Sequence, residues 1–158
     1  MLIYDLWIYN QQSKFSNQQL DMYIITTKDG SHSLFSEQYQ EIYHSANGAI
    51  QESQHVFINS GFDYLASAFA GKTGKLKRFE VGFGTGLNTL LTLIAAQKTG
   101  VKIYDETIER YPVTLEVINE LNYTQLLENE KYRSSYHSMH LCNWNTEHNI
   151  TPYFSFKK

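Results

Sequence analysis

The sequence predicts an α/β fold built on a parallel sheet. Residues 76–81 are typical of a short buried strand, a glycine-rich turn follows at 82–86, and residues 87–98 have the apolar spacing of a helix. A second strand pattern follows at 101–108, after Thr99-Gly100 ends the helix. Strand, helix and strand in succession favour two parallel strands joined by a helical crossover.

A small β element is predicted before this unit. The segments 23–27 and 31–35 are rich in β-branched and aromatic side chains, and Asp29 and Gly30 stand between them. An Asp-Gly pair in this setting favours a tight hairpin, because glycine adopts positive φ angles at little cost. We therefore expect an N-terminal β-hairpin that begins near Met22.

The remaining elements have weaker signals. Residues 53–69 show mostly helical spacing, and Gly61 makes this segment either one helix with a weak point or two short helices. Pro112 suits the first turn of a helix that runs to about residue 121. A short helix at 124–130 and a third strand at 150–157 complete the predicted elements.

The composition fits one globular domain. Apolar residues make up 42% of the 158 residues, which is enough for a core. The formal net charge of -3 argues mildly against a nucleic-acid partner. A single cysteine, a start without signal-peptide features and the lack of a long apolar run favour a cytoplasmic protein with no membrane partner.

The glycine-rich turn carries the strongest chemical signal. Glycines 82, 84 and 86 would let the backbone approach a ligand closely between a strand and a helix N-terminus. Their spacing differs from the Gly-x-Gly-x-x-Gly of dinucleotide-binding folds, since Leu87 fills the last place, and no Gly-Lys-Ser/Thr phosphate loop is present. An acid, Glu80, followed by Gly-x-Gly-x-Gly is typical of Rossmann-like methyltransferases. The alternative is a tight strand-helix turn without a ligand.

A second acid, Glu109, follows the second predicted strand. A carboxylate there can accept hydrogen bonds from both ribose hydroxyls of an adenosine. The alternative is a solvated surface acid. Asp105 and Glu106 are weaker candidates, because they fall inside the predicted strand.

Several motifs together resemble one known family, the MnmC-like (MnmD) tRNA methyltransferase domain. The segments that carry the resemblance are Asp29–Leu34, Glu41–Ser45, Gly48–Ala49, Glu52–Ile58, Val81–Asn88 and Ile108–Pro112. The resemblance covers residues 22–158 and implies a Rossmann-like S-adenosylmethionine-dependent methyltransferase fold. It implies as cofactor-binding residues Ser53, Glu80, Gly82, Phe83, Gly84, Thr85, Gly86, Asn88 and Glu109. Ser53 could equally be a helix N-cap.

The resemblance also implies an activity. The family transfers a methyl group from S-adenosylmethionine to 5-aminomethyl-2-thiouridine at the tRNA wobble position, and a flavin-dependent oxidoreductase can act on the preceding intermediate. An Asp-Ala-Phe-like motif that looks catalytic in the family is not found here, so no catalytic residue is assigned. We expect a loose extension at 1–21 and, at 22–158, the N-terminal half of such a domain. The alternatives are a non-catalytic remnant or cofactor-binding fragment, and an unrelated nucleotide-binding protein.

The histidines and the cysteine are predicted to be structural. His44 and His55 are expected to be satisfied structural residues and not bases. The spacing of four further residues matches no standard zinc finger, so we expect no metal site. These four are His137, His140, Cys142 and His148.

Overall fold

An antiparallel β element opens the described part of the chain. The computed structural model describes residues 22–69, 73–127 and 130–158, so the predicted extension at 1–21 lies outside it. The strands of this element are β1 (Met22–Thr26), β2 (His32–Ser36) and β3 (Glu41–Ile42), paired in that order. The predicted hairpin is confirmed, but its loop comprises residues 27–31. The Asp29 carboxylate holds this loop by accepting the backbone N–H of Ser31 at 2.9 Å.

A continuous helical segment follows and differs from the prediction. It consists of α1 (Ala49–Ser53), a π-helical stretch (Gln54–Phe62) and α2 (Asp63–Phe69). The helix begins before Ser53, and its N-cap is Gly48. The N-cap interpretation of Ser53 is therefore wrong. Gly61, the predicted weak point, lies within the π-helical stretch, where the wider turn replaces a break between two helices.

The main sheet contains the predicted parallel strands. Its elements are β4 (Leu76–Val81), α3 (Leu87–Thr99), β5 (Ile103–Ile108), β6 (His148–Thr151) and β7 (Phe154–Lys157). The order is β4-β5-β7-β6, with β4, β5 and β7 parallel and β6 antiparallel. Two strands replace the single one predicted at 150–157, because a turn at Pro152 and Tyr153 folds β6 back against β7.

Short helices connect β5 to β6. They are α4 (Leu115–Glu120), α5 (Tyr123–Leu126), a 3₁₀ turn (Glu130–Tyr132) and α6 (Arg133–Leu141). Pro112 precedes α4 and does not lie in its first turn, because Thr114 is the N-cap. The sequence did not predict α6, since only Tyr136 and Met139 of its nine residues are buried.

The core lies on one side of the main sheet, against α3. From the strands it includes Ile103, Phe154 and Phe156, and α3 contributes most of its residues to it. The opposite face, with Phe79 and Ile108, is exposed, and no described element covers it. One long edge of β4 likewise has no partner strand among the described residues. Within the same residues, no helix has the length and apolar character needed to cross a membrane.

Candidate functional site

The glycine turn and Glu109 meet at the carboxyl edge of the sheet, as predicted. Glycines 82, 84 and 86 all have positive φ angles, at 88°, 51° and 73°. The N–H of Gly82 donates to the carbonyl of Ile108 at 2.9 Å, and the N–H of Gly84 donates to Glu109 Oε2 at 2.8 Å. Because β4 and β5 are parallel, the turn after the first and the acid after the second lie side by side.

Aromatic side chains pack against the turn. The ring of Phe83 lies 4.7 Å, centroid to centroid, from that of His140, and Tyr136 donates from its hydroxyl to the carbonyl of Thr85. A Cβ at Gly86 would lie 2.8 Å from His140 Nε2, so this position has no space for a side chain. Burial lowers the pKa of His140 to about 3, with Lys158 acting in the same direction, so the ring is neutral at pH 7.

A cavity of about 550 Å³ lies beside the turn, between the helical segment 49–62 and strand β4. Seven of the nine predicted cofactor residues line it, and Gly86 and Glu109 lie outside its lining. The seven are Ser53, Glu80, Gly82, Phe83, Gly84, Thr85 and Asn88. The structure therefore brings the predicted residues together around one space, although Phe83 and Thr85 are themselves buried.

Three polar atoms of the cavity lining have no partner among the described residues. These atoms are Ser53 Oγ, Thr85 Oγ1 and Asn88 Oδ1, and all three are buried. Ser53 is only 1% exposed. Buried polar atoms are normally hydrogen-bonded, since an unmade bond costs free energy. A polar ligand that reaches these atoms would satisfy them.

Sequence reasoning missed a buried charge network beneath the cavity. Arg78 donates to both carboxylate oxygens of Asp105, from Nε at 2.9 Å and from Nη2 at 2.8 Å. The same Nη2 donates to Glu80 Oε2 at 2.9 Å, and Asn88 Nδ2 donates to Glu80 Oε1 at 3.1 Å. Strand register places Arg78 opposite Asp105. The two residues are far apart in the sequence, so only the register of β4 against β5 could have indicated that they pair.

The network leaves the cavity with an excess of negative charge. Glu52 and Glu80 are the carboxylates of the lining, and Arg78 is its only lysine or arginine among the described residues. This arginine is already shared between Asp105 and Glu80. Burial raises the pKa of Asp105 to about 6, although the adjacent guanidinium acts to lower it, so this carboxyl still ionises at pH 7. A ligand with positive charge therefore matches this cavity better than an anionic one.

The other candidate residues lie elsewhere. Within the described ranges, no group of three or more His, Cys, Asp or Glu side chains is arranged to hold a metal ion. Cys142 donates from Sγ to the carbonyl of Met139, and His148 is hydrogen-bonded to the carbonyl of Asn143. His55 lies on the far side of the helical segment, beside a second, open cavity.

The fold and the site define a Rossmann-like α/β domain with its cavity at the carboxyl edge of parallel strands. A solved structure, that of MNMC2 from Aquifex aeolicus, superposes with a TM-score of 0.61 at 22% identity, over 99% of this chain and 49% of that one. No protein-family model matches the chain.

The curated relatives that match the chain are MnmC proteins. The bifunctional protein MnmC of tRNA 5-methylaminomethyl-2-thiouridine biosynthesis is 35% identical over 92 residues in Cupriavidus necator, which is 56% of this chain and 13% of that protein. The Leptospira interrogans protein of the same name is 31% identical over 109 residues, which is 66% of this chain and 17% of that protein. The predicted resemblance to MnmC-like proteins is confirmed. The matched region is only a small part of these relatives.

Proposed function

We propose that the chain binds S-adenosylmethionine in the cavity beside the glycine turn. We further propose that it forms the cofactor-binding part of a methyltransferase that modifies 5-aminomethyl-2-thiouridine at the tRNA wobble position. The observation that carries the proposal is the acid-rich cavity at the carboxyl edge of β4 and β5, with Gly84 bonded to Glu109 beside it. The names of the curated relatives support tRNA as the substrate class.

Charge favours this cofactor over a dinucleotide. S-adenosylmethionine carries a sulfonium and an ammonium group, whereas the pyrophosphate of NAD is anionic. The lining offers the carboxylates of Glu52 and Glu80 and no uncommitted lysine or arginine among the described residues. Ser53 Oγ and Asn88 Oδ1 would accept hydrogen bonds from the cofactor, which fits their lack of protein partners.

Glu109 would bind the ribose hydroxyls. Its two carboxylate oxygens accept the N–H groups of Gly84 and Tyr111, at 2.8 and 2.7 Å. Each oxygen has a further lone pair, so the carboxylate can also accept hydroxyl hydrogens. The two backbone bonds fix its orientation before any ligand arrives.

The chain's own contribution would be binding and orientation. When bound, S-adenosylmethionine supplies an electrophilic methyl group on its sulfonium. The residues around the turn would fix that group relative to the target amine, which must be neutral in order to attack. The tRNA contact, a cytoplasmic location and a flavin-dependent oxidoreductase that acts on the preceding intermediate belong to this proposal.

Isothermal titration with S-adenosylhomocysteine and with NAD tests the binding proposal. We expect binding of the first ligand only. Gly84→Val should abolish it, because the φ of 51° is strained for valine and the added Cβ would lie 3.2 Å from the Tyr43 ring. Glu109→Ala should cost about 1–3 kcal/mol of binding free energy, the scale for lost hydrogen bonds to a charged acceptor.

A matched control separates the site from general effects of charge removal. Glu106→Ala removes a carboxylate on the exposed face, where it pairs with Lys157, and should leave affinity unchanged. Unchanged affinity in both Gly84→Val and Glu109→Ala would reject the assignment. Binding of NAD in place of S-adenosylhomocysteine would favour the alternative of a different nucleotide-binding protein.

A further inference from the structure

The charge network beneath the cavity has one member that a ligand in the cavity does not touch. Asp105 has no exposed surface and does not line the cavity, whereas Arg78 and Glu80 do. Strand register places Asp105 of β5 opposite Arg78 of β4, and Glu80 follows two residues later on the same face of the sheet. Asp105 can therefore act on a ligand only through the two charges that it faces.

Arg78 is divided unequally between its two carboxylates. It donates to Asp105 from Nε and from Nη2, at 2.9 and 2.8 Å, but to Glu80 from Nη2 alone, at 2.9 Å. Thr89 Oγ1 donates to Glu80 Oε2 at 2.9 Å, and Asn88 Nδ2 donates to Oε1 at 3.1 Å. The guanidinium is thus committed mainly to Asp105, whereas neutral donors from α3 also hold Glu80 in place.

The net charge of this network depends on Asp105. One positive charge on Arg78 stands against two negative charges, so one negative charge is in excess when both carboxyls are ionised. Without the charge on Asp105, the guanidinium and the Glu80 carboxylate cancel. Because charges in a partly buried site are weakly screened, the difference acts across the cavity on a ligand that does not touch Asp105.

We propose that Asp105 is a positioning residue that sets the charge of the cavity, so that the cavity selects a cationic ligand over a neutral one of nearly the same shape. By engaging Arg78, it leaves the negative charge of Glu80 to the ligand. This inference rests on the proposed function, in which the two ligands are S-adenosylmethionine, with a positive sulfonium, and its product S-adenosylhomocysteine, with a neutral thioether. Asp105 thereby favours exchange of the product for a new cofactor.

A ratio of two affinities tests the inference. Isothermal titration at pH 7.5 measures the dissociation constants of both ligands for the 158-residue chain and for Asp105→Asn, which keeps the shape of the side chain and removes its charge. The preference for S-adenosylmethionine over S-adenosylhomocysteine should fall about 10-fold in the variant. This is the scale for two unit charges roughly 12 Å apart at an effective dielectric constant of about 20.

The ratio is insensitive to a loss of stability, because partial unfolding lowers both apparent affinities by the same factor. The matched control is Glu106→Gln, which removes the same charge one residue further along β5. Glu106 lies on the exposed face of the sheet and pairs with Lys157, so this variant should keep the ratio of the unaltered chain.

Acid gives a second readout that a purely structural role would not move. Burial raises the pKa of Asp105 to about 6, although Arg78 acts to lower it. The charged groups that face Asp105 are Arg78 and Glu80 of β4. Thr89 of α3 and Phe156 of β7, which lie beside it, carry no charge. Asp105 therefore takes up a proton between pH 7.5 and pH 5.5, and the preference for the cationic ligand should fall with it.

This loss of preference should be smaller in Asp105→Asn, which has no carboxyl to protonate at this position. His44 also lines the cavity, and burial lowers its pKa. The histidine is present in both proteins, so its contribution cancels when the two pH profiles are compared.

The outcomes distinguish the inference from the proposed function. If the unaltered chain binds neither ligand, the proposed function fails and the inference fails with it. If the chain binds both and Asp105→Asn changes neither the ratio nor its pH profile, Asp105 does not set the charge of the cavity, although the proposed function stands. An equal fall of the ratio in Glu106→Gln would assign the effect to the overall charge of the chain and would also overturn the inference.

Discussion

The two faces of the main sheet differ in almost every physical respect. On the face toward α3, alternate strand residues such as Ile103, Asp105 and Phe156 are fully buried. On the other face, Phe79 is 61% exposed and Val81 is 76% exposed. Parallel sheets are normally covered on both faces by helices. The covered face determines the stability of this chain, whereas the exposed face contributes little to it.

The largest expected effect concerns activity. The 158-residue chain by itself should not methylate tRNA at a useful rate, because the face of the sheet that carries Phe79 is exposed and one edge of β4 has no partner strand among the described residues. Misplaced reactants alone can cost about 100-fold in rate.

The measurement is transfer of labelled methyl from S-adenosylmethionine to tRNA that carries 5-aminomethyl-2-thiouridine. It is run beside a hybrid that continues after Lys158 with the following residues of the Leptospira interrogans relative. Comparable turnover by the two proteins would show that the exposed side of the sheet has no bearing on catalysis.

The buried ion pair on the covered face should be the next most sensitive feature. Asp105→Ala leaves the guanidinium of Arg78 without its bidentate partner and should lower the free energy of unfolding by about 3–5 kcal/mol. Glu106→Ala, one residue further along the same strand but on the exposed face, is the matched control and should change stability little. Urea unfolding measures both. Equal losses would contradict the distinction between the faces.

Acid should destabilise the chain through His140, which packs against the glycine turn. Burial depresses the pKa of His140 to about 3 in the folded chain, from 6.5 for an unperturbed histidine. The unfolded chain therefore takes up the proton first, and the stability present above pH 6.5 is lost as the pH falls. Between pH 7 and pH 5 the loss should be about 2 kcal/mol.

Urea unfolding of the unaltered chain and of His140→Gln at both pH values isolates this contribution. Asp105, with its raised pKa of about 6, acts in the opposite direction, but it is present in both proteins and cancels in the difference. The variant should lose less stability on acidification than the unaltered chain. The same acid sensitivity in both proteins would assign the effect to other groups.

The smallest effect should follow from Phe79→Ala. This side chain lies on the exposed face, so its removal should change the free energy of unfolding by about 0.5 kcal/mol or less. Phe156→Ala on the covered face should cost about 3–5 kcal/mol. Thermal and urea unfolding of the pair give the comparison directly. A large loss in Phe79→Ala would indicate that something covers this face in solution.

The predictable part of the fold was the part with local signals. The strand at 76–81, the glycine turn and the helix that ends at Gly100 each have a characteristic residue spacing or a glycine at their boundary. All three are present in the structure. The second strand was placed within two residues of its observed start. Helix α6 was missed, because only two of its residues are buried and its sequence is polar and aromatic.

The candidate site was predictable to a similar extent. The Gly-x-Gly-x-Gly motif and the acid after the second strand were recognisable as a pattern, and they lie together at one sheet edge. The pair of Arg78 and Asp105 depends on strand register, which no local pattern gives. His44 was expected to be a satisfied structural histidine, and its ring is hydrogen-bonded to Ser33. Its place in the cavity lining depends on the packing of the β element against the helical segment, which no local pattern gives.

The open edge of β4 bears on how this protein behaves at high concentration. Among the described residues no strand pairs with this edge, so its backbone N–H and C=O groups form a template that a strand of another molecule can extend, and the neighbouring Phe79 and Val81 add apolar surface. Lys77 on the same strand is the kind of charged residue that opposes such pairing. Charge on this strand thus opposes association through the edge, and charge-screening salt should shift the balance toward association.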